Sequence, residues 1–153
     1  KSPGLEFLEG TYFWEGNPRH AQANNSAFDT NFRAAVGVDD RGASLADSND
    51  VSTYAHMFGC WETLNVIKAG METSGYQGPA DRSKLIEAVE AMTDLPHSDD
   101  HPQGAKLFNG KTHQVFGQQY ISKVTDGSLV VEHTASIEDG LYEDEVDYTT
   151  QSF

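Results

Sequence analysis

The segment FLEGTYFW, residues 7–14, is a lone strand signal set ahead of three helical ones. Its aromatic residues suit a pleated, half-buried surface. The glycine and proline of EGNPRH then break it. Further strand signals come only after the helices. One strand at the head of such an order cannot complete a parallel sheet by itself. The chain therefore reads as α/β, and as a piece of a larger α/β protein. The opening KSPGLEFLEG has no initiating Met and runs into structure at once. The protein is expected to extend upstream, with any export signal there.

The helical signals are distinct. In NSAFDTNFRAAV, residues 25–36, Ser26 is a plausible N-cap, and Ala27, Phe28, Phe32, Ala35 and Val36 recur at helical spacing. Gly37 is a natural stop. The polar stretch GVDDRGASLADSND reads as loop. The longest helix signal covers residues 51–71. Asp50 or Ser52 can cap it, and Gly70 or Gly75 can end it. Apolar residues cover most of the wheel in its first half, and Glu62, Asn65, Lys68 and Glu72 come later. That pattern predicts burial on several sides at the start and half-exposure at the end. From Pro79 to Asp94, Leu85, Ile86, Val89 and Met92 form the stripe of a shorter helix.

Strand signals close the chain. GAKLFN (104–109) is one strand, and HQVFGQQYISKV (113–124) reads as one long strand with a bend at Gly117. TDG is a hairpin turn, and SLVVEHTA returns from it. The tail IEDGLYEDEVDYTTQSF is acidic and reads as a surface segment or a wrap over a neighbour.

At 153 residues the chain fits one domain. A net charge of −14 argues against nucleic acid and against an anionic membrane surface. A single cysteine excludes an internal disulfide and a cysteine-based zinc site. No apolar run is long enough to span a bilayer.

Candidate chemistry concentrates in TYAHMFGCWETLNVIKAG, residues 53–70. His56 and Cys60 stand four apart, so on a helix they share a face. A nucleophilic cysteine needs a base and partial exposure. Cys60 lies instead among Met57, Phe58, Gly59 and Trp61, and reads as a small apolar core residue. His56 stands near a helix N-terminus, where free N–H groups favour polar ligands. It is balanced between core hydrogen bonding and ligand contact, with Tyr54 beside it as a polar-tipped aromatic. Trp14 can stack on a ligand or pack in the core. Arg19 can grip a carboxylate, although a lone surface arginine is the commoner case. HSDDH, residues 97–101, supplies zinc ligand types in His97, Asp99, Asp100 and His101, with His113 as a further donor. Its spacing is unfamiliar, and a solvated acidic turn is the plainer reading. No phosphate loop, nucleophile elbow or HExxH occurs. Nothing specifies an enzyme or a cofactor.

Three stretches together carry a family resemblance: EGTYFWEGNPRHAQANNSAFDTNFRAAVG, TYAHMFGCWETLNVIKAGMETSGYQGPADRSKLIEAVEAM and HPQGAKLFNGKTHQVFGQQYISKVTDGSLVV. Their order and spacing resemble the C-terminal portion of type I periplasmic solute-binding proteins of ABC transporters, in the branched-chain amino acid/amide class. The resemblance covers residues 1–134 and leaves 135–153 as an acidic tail. It implies two α/β lobes joined by crossover strands, two of them near Tyr12 to Gly16 and near Phe116 to Gln119. Residues 17–112 would complete the N-terminal lobe, and 1–11 and 120–134 would belong to the C-terminal lobe. It implies an extracytoplasmic, non-enzymatic protein that binds an amino acid or amide-like solute. The expected partners are that solute, the transporter permease and the upstream remainder of the same protein, with no nucleic acid and no cofactor. Counting back from Lys68-Ala69-Gly70, His56 matches a cleft-facing position that many members fill with an aromatic. Tyr54 and Trp14 complete the expected ligand contacts. The main ligand-gripping residues would lie upstream. Three alternatives remain: a cytoplasmic ligand-sensing regulator on the same fold, a metal-binding or enzymatic domain using His97, Asp99, Asp100 and His101, and a structural domain with no ligand.

Overall fold

The computed structural model describes residues 5–16, 27–39, 43–47 and 55–151. It is a mixed α and β structure with two three-stranded antiparallel sheets and three α-helices. No parallel strand pair occurs among the described residues.

The first strand signal is split. Leu5–Leu8 form a 3₁₀ turn, and the strand β1 is Tyr12–Glu15. Gly10 lies between them at φ 80°, a left-handed conformation that suits glycine and interrupts an extended run. Helix α1, Ala27–Val36, has Asp29 in its first turn paired with Arg33 one turn on, at 2.8 Å. Gly37, at φ 76°, ends it, and its N–H donates to the Arg33 carbonyl at 2.9 Å.

Helix α2 runs Ala55–Ser74 and stops at Gly75, φ 64°, where the Tyr76 N–H returns to the Met71 carbonyl. Gly70 is therefore internal, and it is where α2 meets the third helix. A Cβ there would stand 2.7 Å from Val89 Cγ2 and 3.0 Å from Leu85 Cδ1. The expectation of burial on several sides at the helix start falls largely on residues 51–57, whose side chains lie outside the described residues. Among the described residues the buried positions are Phe58, Glu62 and Gly70, one narrow stripe, while Trp61, Leu64, Ile67 and Met71 are exposed. Cys60, read as a core residue, is exposed too.

The third helix signal is also shorter than expected. Pro79–Asp81 form a 3₁₀ turn, and helix α3 is Arg82–Glu90. Leu95 precedes Pro96, and the proline ring pushes the residue before it into extended backbone. Asp94–Leu95 accordingly form strand β2. Strands β3 (Lys106–Asn109) and β4 (Gln114–Gly117) complete the sheet β2–β3–β4. Gly110 in their connection lies flat against the end of α3, where a Cβ would overlap the Glu90 carbonyl.

The expected long strand over 113–124 is two strands in different sheets. β4 ends at Gly117, and β5 (Gln119–Thr125) joins the other sheet, ordered β1–β5–β6 with β6 as Ser128–Ala135. Asp126 (φ 52°) and Gly127 (φ 69°) make the two-residue β5–β6 turn. Glu9 caps it by accepting from the Asp126 and Gly127 N–H groups at 3.1 and 3.3 Å. The inner face of this sheet holds Tyr120, Ser122 and Val124, each about 1% exposed or less.

Candidate functional site

Strand β1 pairs antiparallel with β5. Tyr12 lies opposite Lys123, Phe13 opposite Ser122, Trp14 opposite Ile121 and Glu15 opposite Tyr120. Side chains alternate across the strand. Phe13 and Glu15 face inward, where Ser122 Oγ donates to Glu15 Oε2 at 2.8 Å across a separation of 107 residues. Tyr12 and Trp14 face out. Lys123 Nζ stands 5.3 Å above the Tyr12 ring, close enough for cation–π attraction, and also 3.7 Å from Glu132. Tyr12 and Glu132 keep the Lys123 ammonium protonated to higher pH than usual.

Trp14 is 75% exposed. It does not pack in the core, which leaves its ring available to stack on a molecule at this sheet. The polar end of the same ladder is close-knit. Gln119 Nε2 donates to the Gly117 carbonyl at 3.1 Å, and Tyr120 OH bonds Gln118 Oε1 at 3.2 Å. These groups frame the point where the chain passes from one sheet to the other.

An aromatic cluster joins α1 to Phe58 and Trp61 of α2. Phe58 packs edge-on against Phe28 and Phe32 of α1, at 5.6 and 4.9 Å between ring centroids, and Phe28 meets Trp61 at 5.1 Å. Such pairs contribute about 1 kcal/mol each beyond the area they bury. His56 is the second residue of α2. Tyr54 lies outside the described residues, as do Arg19 and the capping candidates Ser26, Asp50 and Ser52. Trp14 and His56 thus belong to different parts of the fold, a sheet and a helix. Asp29, on α1, is 2% exposed. Burial raises its carboxyl above the usual range, with Arg33 opposing the rise.

The HSDDH loop is tied down by α2. Trp61 Nε1 donates to the Asp99 carbonyl at 2.9 Å, and Ser98 and His101 exchange backbone hydrogen bonds. His97, Asp99 and Asp100 are exposed, and His101 is half-buried with its Nδ1 enclosed and unpaired. Burial holds the His101 imidazole below its ordinary value; Glu62 and Asp100 pull upward and Lys106 pulls down. His113, at φ 57°, bonds Glu90 Oε1 through Nε2 at 2.7 Å and stacks on Tyr148. No group of three or more His, Cys, Asp or Glu side chains arranged for a metal occurs among the described residues.

Glu62 is the residue that sequence reasoning misplaced. It counts among the polar residues of the half-exposed later part of the helix, yet it is 6% exposed. Its Oε1 accepts from Lys106 Nζ at 2.9 Å and from the Gln103 N–H at 2.8 Å. Lys106 also donates to the Gly104 carbonyl at 3.0 Å. The available signal was spacing: Phe58, Glu62 and Gly70 recur every four or eight residues along one side.

A cavity of about 300 Å³ lies between α2, α3 and the β3–β4 hairpin, lined by Ile67, Leu85, Ile86, Val89, Phe108, Glu90 and His113. Of the sequence-predicted site residues, His113 lines it and Trp14 does not. Among the described residues no helix is long and apolar enough to cross a membrane. The chain matches no protein-family model, and no curated protein matches it.

Proposed function

We propose that the chain is the C-terminal portion of a two-lobe type I solute-binding protein, an extracytoplasmic component of an ABC transporter. It takes an amino acid or amide-like solute by lobe closure and delivers it to a membrane permease. The observation that carries this reading is the pairing of departure and return. The chain leaves the β1–β5–β6 sheet after Glu15 and re-enters it at Gln119, and Glu15 lies opposite Tyr120. The described residues between, including α1, α2, α3 and the second sheet, belong to one excursion. Two lobes that share several chain crossings require adjacent departing and returning strands of this kind. The exposed Leu64 and Met71 on α2 add support, because apolar side chains left on a helix face can receive another element. The upstream remainder of the protein is the partner this reading assigns to it.

In this reading Trp14, exposed beside the crossing, stacks on the solute, and His56 and Tyr54 are its further contacts. The test is a thermal-shift screen of the full-length gene product against amino acids, urea and short amides. A solute at 100 times its dissociation constant adds about 2.7 kcal/mol, a plainly visible shift. A shift with one amino acid or amide class is the expected result. Stabilisation by Zn²⁺ alone would overturn the reading. Calorimetry on Trp14→Ala and His56→Ala then assigns the contacts. Each is expected to weaken binding about tenfold, a loss of about 1.4 kcal/mol. Unchanged affinity in either variant removes that residue from the site.

A further inference from the structure

We propose that residues 136–151 are a strap that fixes the angle between the β1–β5–β6 sheet and the excursion it carries. The strap starts at the junction itself: Ala135, the last residue of β6, lies opposite Gln119, the first of β5. Ser136 and Asp139 then form a small closed turn, in which the Ser136 N–H and hydroxyl both donate to Asp139 Oδ2 at 3.0 Å. From there the chain runs back over the β3–β4 hairpin, away from the sheet it has just left. The Tyr142 ring meets Phe116 edge-on at 5.2 Å. Asp144 Oδ1 accepts from Asn109 Nδ2 at 2.6 Å, and its other oxygen faces Lys111 at 4.0 Å. The Tyr148 N–H donates to the Lys111 carbonyl at 2.7 Å, and the Tyr148 ring stacks on His113 at 5.0 Å.

These contacts reach both hairpin strands and the loop joining them, while the covalent root of the segment is on the other sheet. Between β4 and β5 only Gln118 connects the two sheets on this crossing. That one-residue crossing is bridged by the Gln119 and Gln118 side chains, and a segment fastened on both sides of it holds the same angle from a second point. The fastening is chemically mixed, with two ring contacts, one charge-assisted hydrogen bond and one backbone hydrogen bond, and each partner is solvent-accessible. Such a clasp can open without exposing a core. His113 links it to the interior, because the imidazole under Tyr148 also bonds Glu90 and lines the apolar cavity. Movement of the strap is therefore felt at the end of α3. The strap stands on these contacts and does not rest on the transport reading.

The test uses the exposed native Cys60 on α2 and an introduced Thr134→Cys on β6 as a spin-label pair. The distance between them reports the angle between the two parts. With the native strap one narrow distribution is expected. Tyr148→Ala together with Asp144→Ala should broaden or shift it while the far-ultraviolet circular dichroism stays native. The milder Asp144→Asn should give a smaller change in the same direction. A distribution as narrow and as centred as the native one in both variants overturns the proposal. So does broadening that appears only with loss of the dichroism, since the segment would then be part of the fold and not a clasp on it.

Discussion

Glu62 has one carboxylate oxygen committed to an ammonium and a backbone N–H in a nearly closed environment. Removing the carboxylate strands Lys106, itself mostly buried. Glu62→Ala is therefore expected to lower unfolding free energy by about 3 kcal/mol, measured by urea denaturation. Adding Lys106→Met should recover part of the loss, because the unpaired charge goes with it. His101 makes a different prediction. Its folded-state pKa is depressed by burial, so the unfolded chain binds the proton more readily. The associated stability is complete above about pH 6.5 and falls as the pH drops toward the folded value. His101→Asn should flatten the melting temperature between about pH 6.5 and pH 5; an unchanged slope would place the titration elsewhere. At this scale the sequence was misleading in a consistent way. Cys60 looked buried and Glu62 looked exposed because residue type was allowed to decide. The structure decides by helical phase: Glu62 is four residues from Phe58, on the buried stripe, and Cys60 is not.

Elements were more legible. All three helix signals form helices, because apolar spacing and glycine stops are local. The errors lie at ends and breaks. Pro96 acts backward through Leu95 and helps keep α3 from reaching Asp94, and Gly10 cuts the first strand signal in two. Two glycines hold elements together and can be ranked. Gly110→Ala would drive a methyl into the Glu90 backbone, which cannot rotate away. A cost of about 3 kcal/mol is expected, at the upper end of overpacking effects. At Gly70 the obstacles are the Val89 and Leu85 side chains. Gly70→Ala also gains about 1 kcal/mol of helix propensity, so its net cost should be the smaller of the two. Chemical denaturation of both variants checks the order, and a Gly70→Ala variant less stable than Gly110→Ala would contradict the α2–α3 geometry.

The assembly of the whole molecule could not be read locally. FLEGTYFW looked solitary because its partner lies more than a hundred residues away, and nothing in a window of the sequence reveals the Phe13–Ser122 register. The bend expected at Gly117 is in fact a change of sheet, which the same composition signals equally well. Trp14 offers a global readout. Its ring is 75% exposed, so in a Trp61→Phe variant, which leaves Trp14 as the only tryptophan, its fluorescence should be quenched by acrylamide in the free protein. Quenching should fall on addition of a solute that stacks there; undiminished quenching at saturation would exclude Trp14 from the site. The long pairing also bears on how the protein is made. β1 leaves the ribosome roughly 5–20 seconds before β5 at ordinary synthesis rates. Throughout that interval its edge is open and its aromatic side chains lack their native neighbours. Closing the intervening loop costs an entropy worth about 4 kcal/mol, before the first β1–β5 hydrogen bond forms. The excursion must shorten that loop by folding first, so the sheet at the chain's beginning is expected to be among the last parts of the molecule to form.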